Sequence, residues 1–167
     1  APPSAYGRSK AAAERLALEH WPDTLVVRTS TFFGPWDEYN LLTRAMHAFM
    51  RGESVAVPSD LCVSPTYVPD LVRVCLDLLI DGAHGLWHVT NRGALSMSDL
   101  VGHVAERLGK IHLVRPRTAL QLGLIAPRPR YSALVSGSGH LLPPLEDALE
   151  RFLFHRRSAR PSQAMAG

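Results

Sequence analysis

Tyr6-Gly-Arg-Ser-Lys-Ala-Ala-Ala-Glu-Arg-Leu-Ala-Leu-Glu-His20, followed by Pro22 and then Thr24-Leu-Val-Val-Arg-Thr29, contains both signals that decide the architecture. Residues 6–20 are dominated by helix formers and place Ala12, Ala13, Leu16 and His20 on one face, and Pro22 ends the helix. The run Leu25-Val26-Val27 reads as a strand covered on both sides, as in a parallel sheet. Gly34-Pro35 marks the turn beyond it.

The same alternation continues downstream. Asn40–Arg51 is an amphipathic helix with a left-handed cap expected at Gly52, and Ser54–Val57 is a short strand. Val68–Ile80 reads as a helix with Pro69 in its first turn, Asp70 at its positive dipole end and Gly82 after it. Leu86–Thr90 is a strand, Leu100–Leu108 a helix capped by Ser96 or Ser98, and Ile111–Val114 a strand. Thr118–Ser138 is irregular, and Pro143–Phe154 is a last amphipathic helix before a basic tail. Helices alternating with short apolar strands, with no internal period, predict an α/β chain with a parallel sheet.

The bulk numbers agree with one folded unit. The chain has 167 residues, 46% hydrophobic and 20% charged, with a formal charge of +3. That composition excludes disorder, and so small an excess of charge, without a block of five like charges, predicts no nucleic-acid partner. No stretch reaches the roughly 18 apolar residues of a membrane span. Two cysteines, Cys62 and Cys75, are too few for a disulfide framework, which points to a reducing, cytoplasmic setting. Of eight histidines only His84 and His88 stand four apart, beside Gly85 on a predicted strand, so no metal site is expected.

Tyr6 and Lys10 carry the sharpest chemistry. Four apart on a helix, they share a face. An ammonium beside a phenol stabilises the phenolate, so Tyr6 could give a proton to a carbonyl oxygen while hydride reaches the carbon. Lys10 could also hold ribose hydroxyls. The plain alternative is a surface Tyr and Lys on an ordinary helix.

Five segments in order resemble the extended short-chain dehydrogenase/reductase superfamily, and within it the dTDP-4-dehydrorhamnose reductase-like, sugar-nucleotide-binding family. They are Ser4–Glu14, Val27–Ser30 with Phe33-Gly-Pro35, Ser64–Leu71, Gly85–Asn91 and Arg128-Pro-Arg-Tyr-Ser-Ala-Leu134. The resemblance implies the C-terminal part of an NAD(P)-binding Rossmann-like fold, with a substrate-binding subdomain over residues 1–154 and a flexible basic tail over 155–167. It implies NADPH or NADH as cofactor, with Mg2+ a possible aid at the diphosphate. Tyr6 would be the catalytic acid/base and Lys10 its partner on the cofactor ribose. Thr29 and Ser30 would meet the nicotinamide, Thr31, Pro65 and Thr66 would line the substrate side, and Arg128 and Arg130 would approach the diphosphate. The implied activity is reduction of a nucleotide-linked 4-keto-6-deoxysugar, and a homodimer is possible.

The departures are specific. Thr31 stands where these reductases usually carry Trp, and Tyr131 where they usually carry Asn. The glycine-rich phosphate loop and the Ser/Thr that usually precedes the tyrosine motif are absent, so the chain is expected to be the C-terminal portion of a larger polypeptide, inactive alone. A missing N-terminal Rossmann half, or a fusion partner, would complete it. Two other readings stay open: a non-catalytic sugar-nucleotide-binding or regulatory module, and an epimerase or dehydratase of the same superfamily. Elsewhere Arg28 reads as a structural ion-pair partner, and Trp36–Tyr39 as a loop rimming a sugar pocket or simply solvated. Ser136-Gly-Ser-Gly139 reads as a flexible turn, and Arg156, Arg157 and Arg160 as a solvated tail.

Overall fold

A computed structural model describes residues 2–126, 128–137 and 142–158. Helix α1 (Ala5–His20) leads into strand β1 (Leu25–Arg28), then β2 (Phe32–Phe33), α2 (Leu41–Met50), β3 (Val55–Pro58), β4 (Cys62–Val63) and β5 (Thr66–Tyr67). There follow α3 (Val68–Ile80), β6 (Gly85–His88), β7 (Leu95–Ser96), α4 (Met97–Arg107), β8 (Val114–Arg117) and α5 (Leu145–Ser158). The mixed α/β class holds. In place of one sheet, the described residues form four strand pairs: β1–β6, β2–β5 and β3–β8 parallel, and β4–β7 antiparallel.

Two apolar clusters organise these pieces. The larger gathers α2, α4 and α5 around Phe33, Phe49, Val57, Tyr67, Leu100 and Phe152, with Phe33 edge-on to Phe152 at 5.7 Å between ring centres. The smaller sets Val74 and Leu78 of α3 against Val89, Leu25, Val27 and Trp87 along the β1–β6 pair. Helix α1 belongs to neither and buries none of its residues; Leu16 is 45% exposed. Strand β1 is likewise only half-buried. A face of alanines offers too little apolar area to anchor a helix, and the two-sided cover expected of Leu25–Val27 is not found.

Several boundaries shift for local reasons. Asn40 and Ser96 cap α2 and α4 by accepting the N–H groups of Thr43 and Asp99, and Gly52, Gly82 and Gly109 take positive φ at three helix ends. The strand expected at Ile111–Val114 is a 3-10 turn over Ile111–Leu113, because β8 registers with β3 only from Val114 opposite Val55. Helix α5 runs to Ser158, across the tail boundary expected at 155. Residues 159–167, which include Arg160, and Ser138 and Gly139 of the expected flexible turn lie outside the described residues.

Candidate functional site

The site is built where α1 begins and β1 ends. Ser4 adopts an extended conformation and its hydroxyl accepts the Gly7 N–H at 3.0 Å, starting the helix one residue before Tyr6. One turn on, the Lys10 ammonium lies 5.7 Å from the centre of the Tyr6 ring. The pair therefore shares a face as the spacing predicts, in cation–π range. Tyr6 is 72% exposed and borders a cleft of about 330 Å³ with Ser4, Thr31, Val63, Met97 and Arg128.

Thr29 and Ser30 continue beyond the carboxyl end of β1, where open α/β sheets place their ligands. The Thr29 hydroxyl donates to that of Thr66 at 3.1 Å, and the Thr66 N–H donates to the Thr31 carbonyl at 2.8 Å. Thr66 is 0% exposed and Pro65 is buried beside it. Neither lines the cleft, and Thr66 braces the Thr29–Thr31 segment through these two bonds. Ser64 carries the same ladder onward, its hydroxyl accepting the Leu134 N–H at 3.0 Å.

Arg128 is exposed on the cleft wall, with no hydrogen bond or ion pair from its guanidinium among the described residues. Arg130 is exposed too but does not line the cleft; only its carbonyl is engaged, accepting the Cys62 N–H at 2.8 Å. Leu61, Met97 and Arg128 also border a second, larger groove of about 710 Å³, which adds Arg44 and His47 from α2 and Arg51 at its C-cap. Sequence reading missed these three. Their spacing at 44, 47 and 51 puts them on one helix face, a signal that could have found them. Arg51 is paired with Glu53 at 2.7 Å, whereas the Arg44 side chain has no partner among the described residues.

Other singled-out residues fall elsewhere. Trp36 and Glu38 line a separate cavity of about 460 Å³ with His47 and Arg156, away from the tyrosine cleft. Arg156 is no solvated tail residue: its side chain is 13% exposed and donates to the Pro35 carbonyl at 3.0 Å and to Glu38. That guanidinium holds the Glu38 carboxyl below the ordinary carboxylate range. Arg28 is an ion-pair partner as expected, and the structure gives the other member as Glu14. Tyr67 is sealed in the core and burial pushes its phenol up, so among the tyrosines Tyr6 is the one placed at the cleft with a cation beside it. Among the described residues no group of three or more His, Cys, Asp or Glu side chains is arranged to hold a metal ion, and no helix is long and apolar enough to cross a membrane.

Residues 1–151 match the family described as the RmlD substrate binding domain. The chain is 36% identical over 140 residues to a dTDP-4-dehydrorhamnose reductase of Mycobacterium tuberculosis, covering 81% of this chain and 45% of that protein. It is 34% identical over 136 residues to a probable dTDP-4,6-dihydroxy-2-methyloxan-3-one 4-ketoreductase of Streptomyces antibioticus, covering 80% and 46%. The crystal structure of a dTDP-4-dehydrorhamnose reductase from Bacillus anthracis in complex with NADP superposes with a TM-score of 0.84 at 30% identity, over 92% of this chain and 56% of that one. The chain thus spans about half the length of the curated relatives it matches.

Proposed function

Because this chain belongs to the RmlD substrate binding domain family, we propose that it supplies the proton-donating and substrate-holding half of an NADPH-dependent reductase of nucleotide-linked 4-keto-6-deoxysugars. The observation that carries this reading is the cleft in which Tyr6, backed by Lys10, faces Thr31 and Arg128. When bound, NADPH supplies hydride to the keto carbon. The cofactor side fits in part: Thr29 and Ser30 offer hydroxyls beyond a strand's carboxyl end, and Tyr6 and Lys10 a phenol and an ammonium in the first turns of α1, groups suited to a ribose and an amide. The 167 residues contain no glycine-rich pyrophosphate loop, so that cradle would come from a Rossmann half outside this sequence.

Tyr6 Oη holds the proton that neutralises the oxygen of the reduced carbonyl. The Lys10 ammonium stabilises the charge left on the phenol, and solvent can restore the proton because the ring is exposed. Thr31 shapes the sugar side. Arg128, standing where cleft meets groove, takes the diphosphate, and the groove lined by Arg44 and His47 takes the rest of the nucleotide. A charge of about −2 on a diphosphate accounts for unpaired guanidinium groups along this path. A cytoplasmic setting, where NADPH is replenished, belongs to the same reading.

The test is a Tyr6→Phe variant in the full-length polypeptide, assayed by NADPH oxidation against a panel of 4-keto-6-deoxysugar nucleotides. Loss of a positioned proton donor costs about 10²–10⁴-fold in kcat with KM nearly unchanged. Equal turnover by the variant would remove Tyr6 from the chemistry.

A further inference from the structure

We propose that Glu14 and Arg28 are positioning residues that set the rotation of α1 about its own axis, and so the reach of Tyr6 and Lys10 into the cleft. The inference rests on the functional reading above and adds to it. Tyr6, Lys10 and Glu14 follow one another at intervals of four, so they spread over about 80° of the helix surface. Glu14 accepts from Arg28 Nε at 3.0 Å through each carboxylate oxygen and from Nη2 at 2.6 Å. Arg28 closes β1 and is followed at once by Thr29, so the pair ties the tyrosine face of the helix directly to the strand end that carries the candidate cofactor residues.

Beside Glu14, only Gly7, Ala11, Ala17 and Leu18 of α1 are even half-buried. Helix α1 buries no residue and joins neither apolar cluster. Among the described residues its other side-chain bonds stay local: Arg8 to the Pro3 carbonyl, Ser9 to the Tyr6 carbonyl, Arg15 to Glu19 and His20 to the Leu16 carbonyl. A two-point guanidinium–carboxylate contact is directional as well as attractive, and therefore resists twisting. The lever arm makes this matter. Side chains reach about 5–6 Å from a helix axis, so a 10° turn moves a tip by about 1 Å. A displacement of that size at a reacting group costs about 100-fold. The pair is half in solvent, with side chains 42% and 23% exposed, so its removal is expected to spare the fold.

The experiment compares Glu14→Ala, and the charge swap Glu14→Arg with Arg28→Glu, in the full-length enzyme. Glu14→Ala is expected to lower kcat about 10- to 100-fold, with the sugar-nucleotide KM within about threefold and the melting temperature within about 3 °C. The swap is expected to recover at least about tenfold in kcat. Unchanged kcat in Glu14→Ala, or a swap no better than the single variant, overturns the proposal. A wild type that reduces no sugar nucleotide defeats the functional reading instead, and the positioning role is then read by spin labels. Labels on Ala12→Cys and Leu86→Cys, with Cys62 and Cys75 replaced by Ser, should give one narrow distance that Glu14→Ala broadens and the swap narrows again. A distribution indifferent to Glu14 would sink it.

Discussion

Arg128 shows how much one exposed side chain can be asked to do. Its guanidinium borders both the tyrosine cleft and the arginine groove, with no partner among the described residues to neutralise it. A charged hydrogen bond to a diphosphate contributes about 1.5–3 kcal/mol, so Arg128→Ala is expected to raise the sugar-nucleotide KM about 10- to 100-fold while changing kcat far less. Steady-state kinetics check this; a fall in kcat alone would place Arg128 at the chemistry instead. Glu14 carries a different signature. The Arg28 guanidinium holds its carboxyl below the usual carboxylate range by hydrogen bonding, against a smaller opposing effect of burial. A group depressed in the folded state stabilises above its unfolded value, near pH 4.3, and loses that contribution as pH falls through the folded value. Melting curves of wild type and Glu14→Gln are expected to differ by about 0.2–1 kcal/mol near neutrality and to converge in acid. These residues were unequally legible beforehand. Tyr6 and Lys10 could be paired because helix periodicity is local, whereas the burial of Thr66 could not be foreseen, since a threonine before a helix looks the same on either side of a wall.

Among the elements, α3 and α5 are joined by the most concentrated ionic contact. Arg151 of α5 donates from Nη1 and Nη2 to Asp70 at 2.7 and 2.6 Å, reaches Asp147 from Nε at 3.0 Å, and lies 4.9 Å over the Tyr67 ring. Asp70 is 5% exposed, so removing its partner leaves a charge in the interior. Arg151→Leu is expected to cost about 2–3 kcal/mol, less than a fully buried pair because the guanidinium side chain is 36% exposed. Denaturant unfolding measures it, and a change below about 0.5 kcal/mol would show that Asp70 finds water instead. Sequence pattern placed α3 to the residue, since Pro69 and Gly82 bracket it chemically. It assigned Asp70 only to the helix dipole, because the true partner lies 81 positions away.

At the scale of the whole molecule, the helix bearing Tyr6 sits outside both cores. The pocket residues come instead from α2, β4 and the segment near residue 128, which the larger cluster and the β4–β7 pair hold in place. The 167 residues contain no glycine-rich phosphate loop. Titration calorimetry of this chain with NADPH is therefore expected to give a dissociation constant weaker than about 100 µM. A micromolar value would put a working cradle inside these residues.

Chain-local physics was enough to specify which segments are helices, to place α3 to the residue, and to put Tyr6 and Lys10 on one face, while the order of the motifs carried the family resemblance. Caps, prolines, glycines and a four-residue repeat act within a turn or two of themselves. Three-dimensional packing alone settled the rest: that Thr66 and Pro65 are buried, that Arg44 and His47 join Arg128 along one groove, and that Glu14 clasps Arg28. Each of these depends on which distant segments meet, and burial and pairing are properties of a meeting rather than of a residue.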